Sequence, residues 1–206
     1  DLLRDASIDP KVESIKVTLY RIAKFSSIAN ALINATRNRK EVTVLLELQA
    51  RFDEENNIYW ANRLKSEGVK ILFGVTGLKV HSKLCLISRR EKGEIKRYCS
   101  IGTGNLNEDT AKKYTDCTLL TADQEIGSEI NSLFNFLERN IKYRGVFKHL
   151  IVSPVNSRER ITALLDFEIE QARGGNEAWL KLKINNFADN DLGLKLYEAS
   201  SAGVKI

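Results

Sequence analysis

A nearly continuous apolar run from Val42 to Leu48 constrains the fold of this chain more than any other segment. A strand that is covered on both faces has this pattern, because neither face alternates between apolar and polar side chains. Such strands belong to sheets that carry helices on both sides. The run therefore predicts a buried strand of an α/β domain.

Segments with strand and helix patterns alternate along the first part of the chain. The predicted strands are Val17–Tyr20, Val42–Leu48, Val69–Phe73, Leu84–Ser88 and Ile95–Ile101. The predicted helices are one capped by Ser26-Ser27, one that Asp53 caps and Gly68 closes, a short one with Lys112-Lys113, and one from Ile126 to Leu137. Helices of this length between strands predict a mixed, partly parallel sheet flanked by helices. The polar residues 91–94 predict a hairpin turn.

The pattern restarts near residue 146. The predicted elements are a helix that ends at Gly174-Gly175, a strand Trp179–Ile184, a helix around Asp191–Ser201 and a strand beginning at Val204. The strand–helix–strand order of residues 180–206 repeats that of residues 15–43, at an offset of about 164 to 165 residues. A strand–helix–strand similarity of this length also arises by chance. The alternative is a duplicated fold, with residues 1–145 as the first domain and residues 146–206 as the start of a second, truncated copy.

Composition narrows the classes of protein and of partner. No apolar run approaches the roughly 18 residues of a membrane span, and no signal peptide is recognisable. The three cysteines lack CxxC spacing, which argues against a disulfide framework or a zinc site and favours reduced thiols in the cytoplasm. A net charge of +5 and a pI of about 9.1 favour polyanionic partners, although such an excess is also common in soluble proteins.

His81-Ser82-Lys83 is the first motif with a chemical implication. In an extended segment, side chains two residues apart leave the same face, so His81 and Lys83 can point into one site. A neutral imidazole can attack phosphorus, and an ammonium group neutralises phosphate oxygens. The alternative for His81 alone is a structural histidine at a strand end. The second histidine, His149, has no such neighbours.

Gly102-Thr103-Gly104-Asn105 adds groups that can orient phosphate oxygens. Glycine lets a backbone approach an anion closely, and the N–H groups of Gly102 to Gly104 would act there together with the Asn105 amide. The motif lacks the third glycine of a dinucleotide fingerprint and the GK[ST] of a P-loop, which excludes both. Alone it also fits a strand-ending turn. Its combination with the histidine and lysine favours phosphoryl transfer.

Two arginines follow predicted strands, at the edge where open α/β sheets place ligands. Arg21 follows the first strand and Arg51 follows the second. Together they would hold a polyphosphate tail by bidentate hydrogen bonds, whereas the alternative for each is an ion pair with Glu47 or Asp53. Tyr114 can stack on a nucleotide base or serve as a core or rim tyrosine.

Several segments together resemble the catalytic region of bacterial polyphosphate kinases. They are Tyr20-Arg21, Glu47 to Glu54, Gly77 to Lys83, Ile101 to Asn105, Tyr114 to Asp116, Val152 to Pro154 with Asn156 to Arg158, and Lys183 to Asn186. The similarity covers essentially the whole chain. It implies two phospholipase D-like domains, and an enzyme that reversibly transfers the γ-phosphate of ATP to inorganic polyphosphate through a phosphohistidine.

The resemblance also implies roles for individual residues. His81 matches the phosphorylated histidine, and Tyr114 matches a nucleotide-contacting tyrosine. Arg21 and Arg51 match arginines at a magnesium–phosphate site. An arginine has no lone pair to offer Mg²⁺, so we expect both to hold phosphate oxygens whose other side carries the metal.

The partners that the resemblance implies are ATP or ADP, inorganic polyphosphate and further copies of the chain in a homo-oligomer, with no nucleic acid. Some members of the family associate with membranes peripherally. A cytoplasmic protein with such an association is therefore a further expectation.

Two alternative functions remain open at this stage. The first is a phospholipase D-like phosphodiesterase or nuclease, whose signature would place an aspartate where this chain has Ser88, which argues against it. The second is a non-catalytic polyanion-binding domain, for which the positive charge would suffice.

The chain itself reads as a fragment, because it begins at Asp1 and contains no methionine. By resemblance, a second catalytic histidine and a nucleotide-binding arginine would follow Ile206, and helical regions with a base contact would precede Asp1. We therefore expect the fragment alone to be inactive or nearly so.

Overall fold

The computed structural model describes residues 1–47, 54–74, 77–139 and 146–206. Their α-helices are α1 (Leu2–Ile8), α2 (Ser27–Arg37), α3 (Glu54–Ser66), α4 (Gln124–Arg139), α5 (Ser157–Arg173) and α6 (Asn190–Ser201), and a single turn of 3-10 helix spans Thr110–Lys112. Their strands are β1 (Val12–Leu19), β2 (Glu41–Leu46), β3 (Lys70–Phe73), β4 (Lys83–Glu91), β5 (Glu94–Gly102) and β6 (Thr118–Thr121). The chain divides into two compact units, residues 1–144 and 145–206. Within the described ranges, no helix is long and apolar enough to cross a membrane.

A six-stranded mixed sheet in the order β3-β2-β1-β4-β5-β6 forms the centre of the first unit. The pairs β1–β2 and β2–β3 are parallel, whereas β1–β4, β4–β5 and β5–β6 are antiparallel. This confirms the predicted α/β class with a mixed, partly parallel sheet. Because of these directions, the ends of β1, β2 and β5 and the start of β4 meet at one edge of the sheet.

Helices cover this sheet on both faces, as the apolar run in β2 predicts. Leu32 of α2 and Leu64 of α3 pack in one core with Val44 of β2, and all three side chains are fully buried. On the opposite face, Lys16 of β1 donates hydrogen bonds of 3.2 Å to the side-chain oxygens of two asparagines in α4. Because helices pack on both faces, the side chains at the ends of the strands are the ones that the sheet can present to a ligand.

Local signals set the ends of several elements. Ser26 caps α2, because its hydroxyl accepts a hydrogen bond of 3.1 Å from the N–H of Ala29. Lys92 and Gly93 both have positive φ, 49° and 89°, which suits the two-residue turn of the predicted β4–β5 hairpin. The sequence did not predict α1 or β6. A four-residue strand such as β6 has too few positions to establish a period, and its pairing with β5 decides its conformation.

The second unit contains α5, α6 and a small core. The buried residues of that core are Ile169, Ala178, Ala199 and Val204. The predicted strands Trp179–Ile184 and from Val204 onwards are wrong in extent, because Trp179 alone pairs, in parallel, with Lys205. A strand needs a partner along its length, and Lys205 offers a single pairing position. In the first unit, Ser14 of β1 pairs in parallel with Glu41 of β2, and α2 lies between the two in the sequence. Trp179 and Lys205 likewise lie on either side of α6.

Candidate active site

One edge of the sheet brings together most of the residues that the sequence assigns to phosphate. The residues there are Arg21 after β1, His81 and Lys83 at the start of β4, Gly102 at the end of β5, and Gly104 and Asn105 just beyond it. Arg51 lies outside the described residues. Because β1, β4 and β5 are adjacent in the sheet, groups that are far apart in the sequence form one cluster.

Thr18 fixes the histidine–lysine segment against β1. It is 3% exposed, and its hydroxyl donates to the carbonyl oxygen of Ser82 at 2.7 Å and accepts from the N–H of Leu84 at 2.9 Å. A buried hydroxyl that satisfies two backbone groups leaves little freedom to the residues between them. The segment that carries His81 and Lys83 is therefore anchored to the core.

Helix α3 fixes the backbone on both sides of Arg21. The fully buried Asn57 donates from Nδ2 to the carbonyl oxygens of Tyr20 and Glu47, each at 3.0 Å. Its Oδ1 accepts from the N–H of Ile22 at 3.1 Å. Sequence analysis did not identify this residue. The available signal was an uncharged polar side chain, one turn before a tryptophan, on the apolar face of a predicted helix.

The imidazole of His81 is exposed at the sheet edge and surrounded by cations. Partial desolvation, followed by the charges of Lys83, Lys79 and Arg21, lowers the pKa of His81 below its usual value of 6.5. This shift favours the neutral ring, which keeps one nitrogen lone pair free for attack. The carbonyl oxygen of His81 accepts a hydrogen bond of 2.5 Å from Lys83 Nζ.

Lys83 is an ammonium group at the margin of the core, with only 6% of its surface exposed. Burial lowers the pKa of Lys83 to about 8, with a further lowering by Arg21, while Asp116 opposes the shift. The side chain is therefore mostly charged at pH 7 but poorly compensated. An arriving phosphate would supply the missing negative charge and raise this pKa.

Gly104 is required where it stands, because the side chain of Asp116 covers it. A methyl group on Gly104 would lie 2.1 Å from Asp116 Oδ2. The neighbouring Thr103 hydroxyl donates to Asp116 Oδ1 at 3.1 Å, and its backbone N–H donates to the carbonyl oxygen of Cys117 at 3.0 Å. The glycine loop after β5 and the segment before β6 therefore form one packed unit.

The two remaining predicted residues differ in their surroundings. Asn105 Oδ1 is buried and has no hydrogen-bond partner in the part of the chain that the structure describes. Buried polar atoms in proteins nearly always have partners, and functional loops are among the exceptions. Tyr114 is 63% exposed, so the alternative of a core tyrosine is wrong.

A polar cleft of about 590 Å³ opens beside Arg21. Its walls are Arg21, Ile22, Ala23, Lys24, Glu55, Asn56, Asn107, Asp109, Thr110 and Lys113. Most of these side chains are charged or hydrogen-bonding, which suits a hydrated, charged ligand better than an apolar one. Arg21 lines this cleft, and its guanidinium also lies near the ring of Tyr20, which contacts the ring of His81.

The described residues at this edge do not form a group of side chains that could hold a metal ion. In residues 1–47, 54–74, 77–139 and 146–206, no three His, Cys, Asp or Glu side chains form a group that could hold one. Arg21 is a cation and cannot act as a ligand. Any contact between this arginine and Mg²⁺ would therefore run through phosphate oxygens that arrive with the substrate.

Comparison with known proteins places these features in one family. Residues 1–143 match the family described as polyphosphate kinase C-terminal domain 1, and residues 150–206 match polyphosphate kinase C-terminal domain 2. The polyphosphate kinase of Vibrio parahaemolyticus is 55% identical over the whole chain, and that of Escherichia coli K12 is 52% identical. The chain spans 30% of the length of each.

Solved structures agree with this assignment. The polyphosphate kinase of Porphyromonas gingivalis superimposes with a TM-score of 0.86 at 40% identity, over 98% of this chain and 34% of that one. The phospholipase D family member Nuc of Salmonella typhimurium reaches a TM-score of 0.54 at 14% identity, over 70% of this chain and 90% of that one. The second similarity concerns the fold alone. The chain belongs to the polyphosphate kinase family, and it corresponds to the C-terminal part of the longer relatives.

Proposed function

We propose that this chain is part of the catalytic region of a polyphosphate kinase, which transfers the γ-phosphate of ATP to inorganic polyphosphate and back through a phosphohistidine at His81. The observation that carries this proposal is the position of the His81 imidazole beside Lys83 and Arg21 at one sheet edge, where partial desolvation and these cations lower its pKa. A nucleophile with a free lone pair, next to cations that attract phosphate, is what such a transfer requires.

In the first step, the unprotonated nitrogen of His81 attacks the γ-phosphorus of ATP. The new N–P bond forms as the bond from phosphorus to the β,γ-bridging oxygen breaks, and ADP leaves with that electron pair. In the second step, a terminal oxygen of polyphosphate attacks the same phosphorus, and the N–P bond breaks to return the free imidazole. Splitting the transfer in this way replaces one difficult displacement by two easier ones.

The other predicted residues act on charge and position in this proposal. Lys83 and Arg21, with Arg51 by resemblance, neutralise the oxygens of the transferred phosphoryl group. Asn105 and the backbone N–H groups of the glycine loop orient those oxygens. The exposed Tyr114 is free of the core and would contact the nucleotide. Mg²⁺ enters bound to ATP, as part of the substrate.

The test is covalent labelling of the full-length protein with γ-³²P-ATP and Mg²⁺. Label that is stable to alkali and labile to acid is expected on the wild type and on a His149→Ala control, and is expected to be absent from His81→Ala. Equal labelling of all three proteins would contradict the proposal. Hydrolysis of bis-p-nitrophenyl phosphate without labelling would favour the phosphodiesterase alternative, and nucleic-acid binding without either activity would favour the polyanion-binding one.

A homo-oligomer and a peripheral membrane association remain predictions for the full-length protein in the cytoplasm. Light scattering during size-exclusion chromatography tests the first. Co-sedimentation with vesicles of anionic phospholipid tests the second, because the excess positive charge would favour such a surface.

A further inference from the structure

The ring of Tyr20, directly after β1, lies among the charged side chains of the site. Lys83 Nζ is 5.2 Å from the centroid of this ring, Lys79 Nζ is 5.4 Å away and Arg21 Cζ is 5.8 Å away. All three distances are within the range at which a cation is attracted to an aromatic face. The ring of His81 meets the ring of Tyr20 edge to face, with centroids 4.6 Å apart and an angle of 86° between the planes.

The cations of a phosphate site repel one another while no substrate is bound, and these contacts offset that repulsion. Three cations near one another repel, and long lysine side chains would move apart into solvent. A half-buried aromatic face attracts each of them without adding a negative charge that would later repel phosphate. The ring therefore stabilises the arrangement in the absence of substrate and does not compete with the substrate.

Tyr20 is itself well fixed, as such a role requires. Its carbonyl oxygen accepts the hydrogen bond from Asn57, and the preceding Leu19 is buried at the end of β1. The ring is thus carried by a backbone that the core holds in place. The contacts given above are made by the ring and not by the phenol hydroxyl.

We propose that Tyr20 is a positioning residue of the phosphate site, whose aromatic ring holds Lys79, Lys83 and the His81 imidazole in the arrangement that receives a phosphoryl group. The contribution to catalysis rests on the proposed function, whereas the arrangement of the rings does not. The ring carries the effect and the hydroxyl is dispensable.

The geometry is tested first by NMR on the 206-residue chain, without ATP. The chain has two histidines, so the imidazole C–H resonances of His81 can be read against those of His149. A nuclear Overhauser contact between the rings of Tyr20 and His81 is expected in the wild type. Tyr20→Phe should leave the His81 resonances nearly in place, and Tyr20→Leu should remove their ring-current displacement while His149 stays unchanged. No ring-to-ring contact in the wild type, or unmoved His81 resonances in Tyr20→Leu, would overturn the proposal.

The effect on catalysis is tested in the full-length protein by the rate of phosphohistidine formation. Tyr20→Phe is expected to stay within about threefold of the wild type, and Tyr20→Leu to fall by about 10- to 100-fold, because a misplaced nucleophile loses proximity. Tyr197→Leu, at a 76% exposed tyrosine of α6, is the matched control and should change nothing. A slow Tyr20→Phe variant would refute the assignment to the ring.

The two experiments separate the proposals. If the wild type forms no phosphohistidine, the proposed function fails, and the NMR result still decides the position of Tyr20. If Tyr20→Leu does not fold, the wild-type ring contact and the behaviour of Tyr20→Phe still decide the inference.

Discussion

Asn57 and Thr18 hold the backbone of the site without pointing into it. Both are buried, and each satisfies backbone groups on segments that carry a site residue. The sequence was enough to propose His81, Lys83 and Arg21 for a phosphate site, because phosphate chemistry needs those residue types near glycines, and the structure brings the three to one edge of the sheet. The roles of Asn57 and Thr18 could not, because they depend on which backbone groups the tertiary fold leaves without partners.

The buried amide of Asn57 gives the first prediction at this scale. Asn57→Ala leaves two carbonyl oxygens and one N–H without their partner, and we expect the free energy of unfolding to fall by roughly 2–4 kcal/mol. Asn34→Ala, at an exposed position of α2, is the control and should change it by less than about 0.5 kcal/mol. Urea unfolding measures both. A small loss in Asn57→Ala would mean that water replaces the side chain.

The depressed pKa of Lys83 gives a second prediction, on pH. Between pH 8 and 10.5 the unfolded chain keeps a proton on Lys83 that the folded chain has released, so stability rises with pH in this window. Lys83→Met lacks this contribution. From pH 8 to pH 10.5, the unfolding free energy of the wild type should therefore rise by up to about 3 kcal/mol relative to that of the variant. A difference that stays flat across this range would show that Lys83 titrates normally.

At the scale of elements, the sequence predicts correctly those elements whose conformation depends on neighbouring residues. The β4–β5 hairpin was predicted because a few consecutive polar residues determine its turn. Lys92 and Gly93 adopt the positive φ that such a turn requires. The strand Trp179–Ile184 was predicted wrongly, and β6 was not predicted, because strand formation depends on a partner that a local pattern does not reveal.

Glu108 links the loop after β5 to the start of α2 by side-chain hydrogen bonds. Its Oε1 accepts from the N–H of Ser27 at 2.7 Å and from the Ser27 hydroxyl at 2.6 Å, which joins the loop after β5 to the start of α2. Glu108→Ala should lower the unfolding free energy by about 1–2 kcal/mol and speed amide exchange in residues 103–109. Glu159→Ala, an exposed glutamate in the first turn of α5, is the control. Unchanged amide exchange in residues 103–109 would show that these hydrogen bonds do not hold the loop.

At the scale of the molecule, the chain corresponds to the C-terminal part of longer relatives. It covers 30% of the length of its Vibrio and Escherichia relatives, and its sequence predicted both the family and the mixed sheet. The division into residues 1–145 and 146–206 as two copies of one domain stays a prediction. Its basis is a sequence repeat and one parallel bridge, and a repeat of this length needs a complete second sheet to be compared.

The isolated chain should therefore lack activity, which is the prediction at this scale. We expect no ATP-dependent synthesis of polyphosphate by residues 1–206, because by resemblance the second catalytic histidine and further nucleotide contacts lie outside them. A coupled assay for ADP release with added polyphosphate, run beside the full-length protein at equal molar concentration, measures this. Synthesis by the fragment at a rate near that of the full-length protein would show that one sheet edge suffices.

The adjacency of β1 and β4 has a consequence for when the site comes into existence. Thr18 and Ser82 are 64 positions apart in the sequence, and contacts of such separation form late because closing the chain costs entropy before it is rewarded. Until that closure, His81 has Lys79 and Lys83 as sequence neighbours but lacks Arg21 and the ring of Tyr20 beside it. Under the proposed function, a full-length chain still emerging from the ribosome would therefore not react with cellular ATP before this closure, and the appearance of label would require that β1 and β4 have paired.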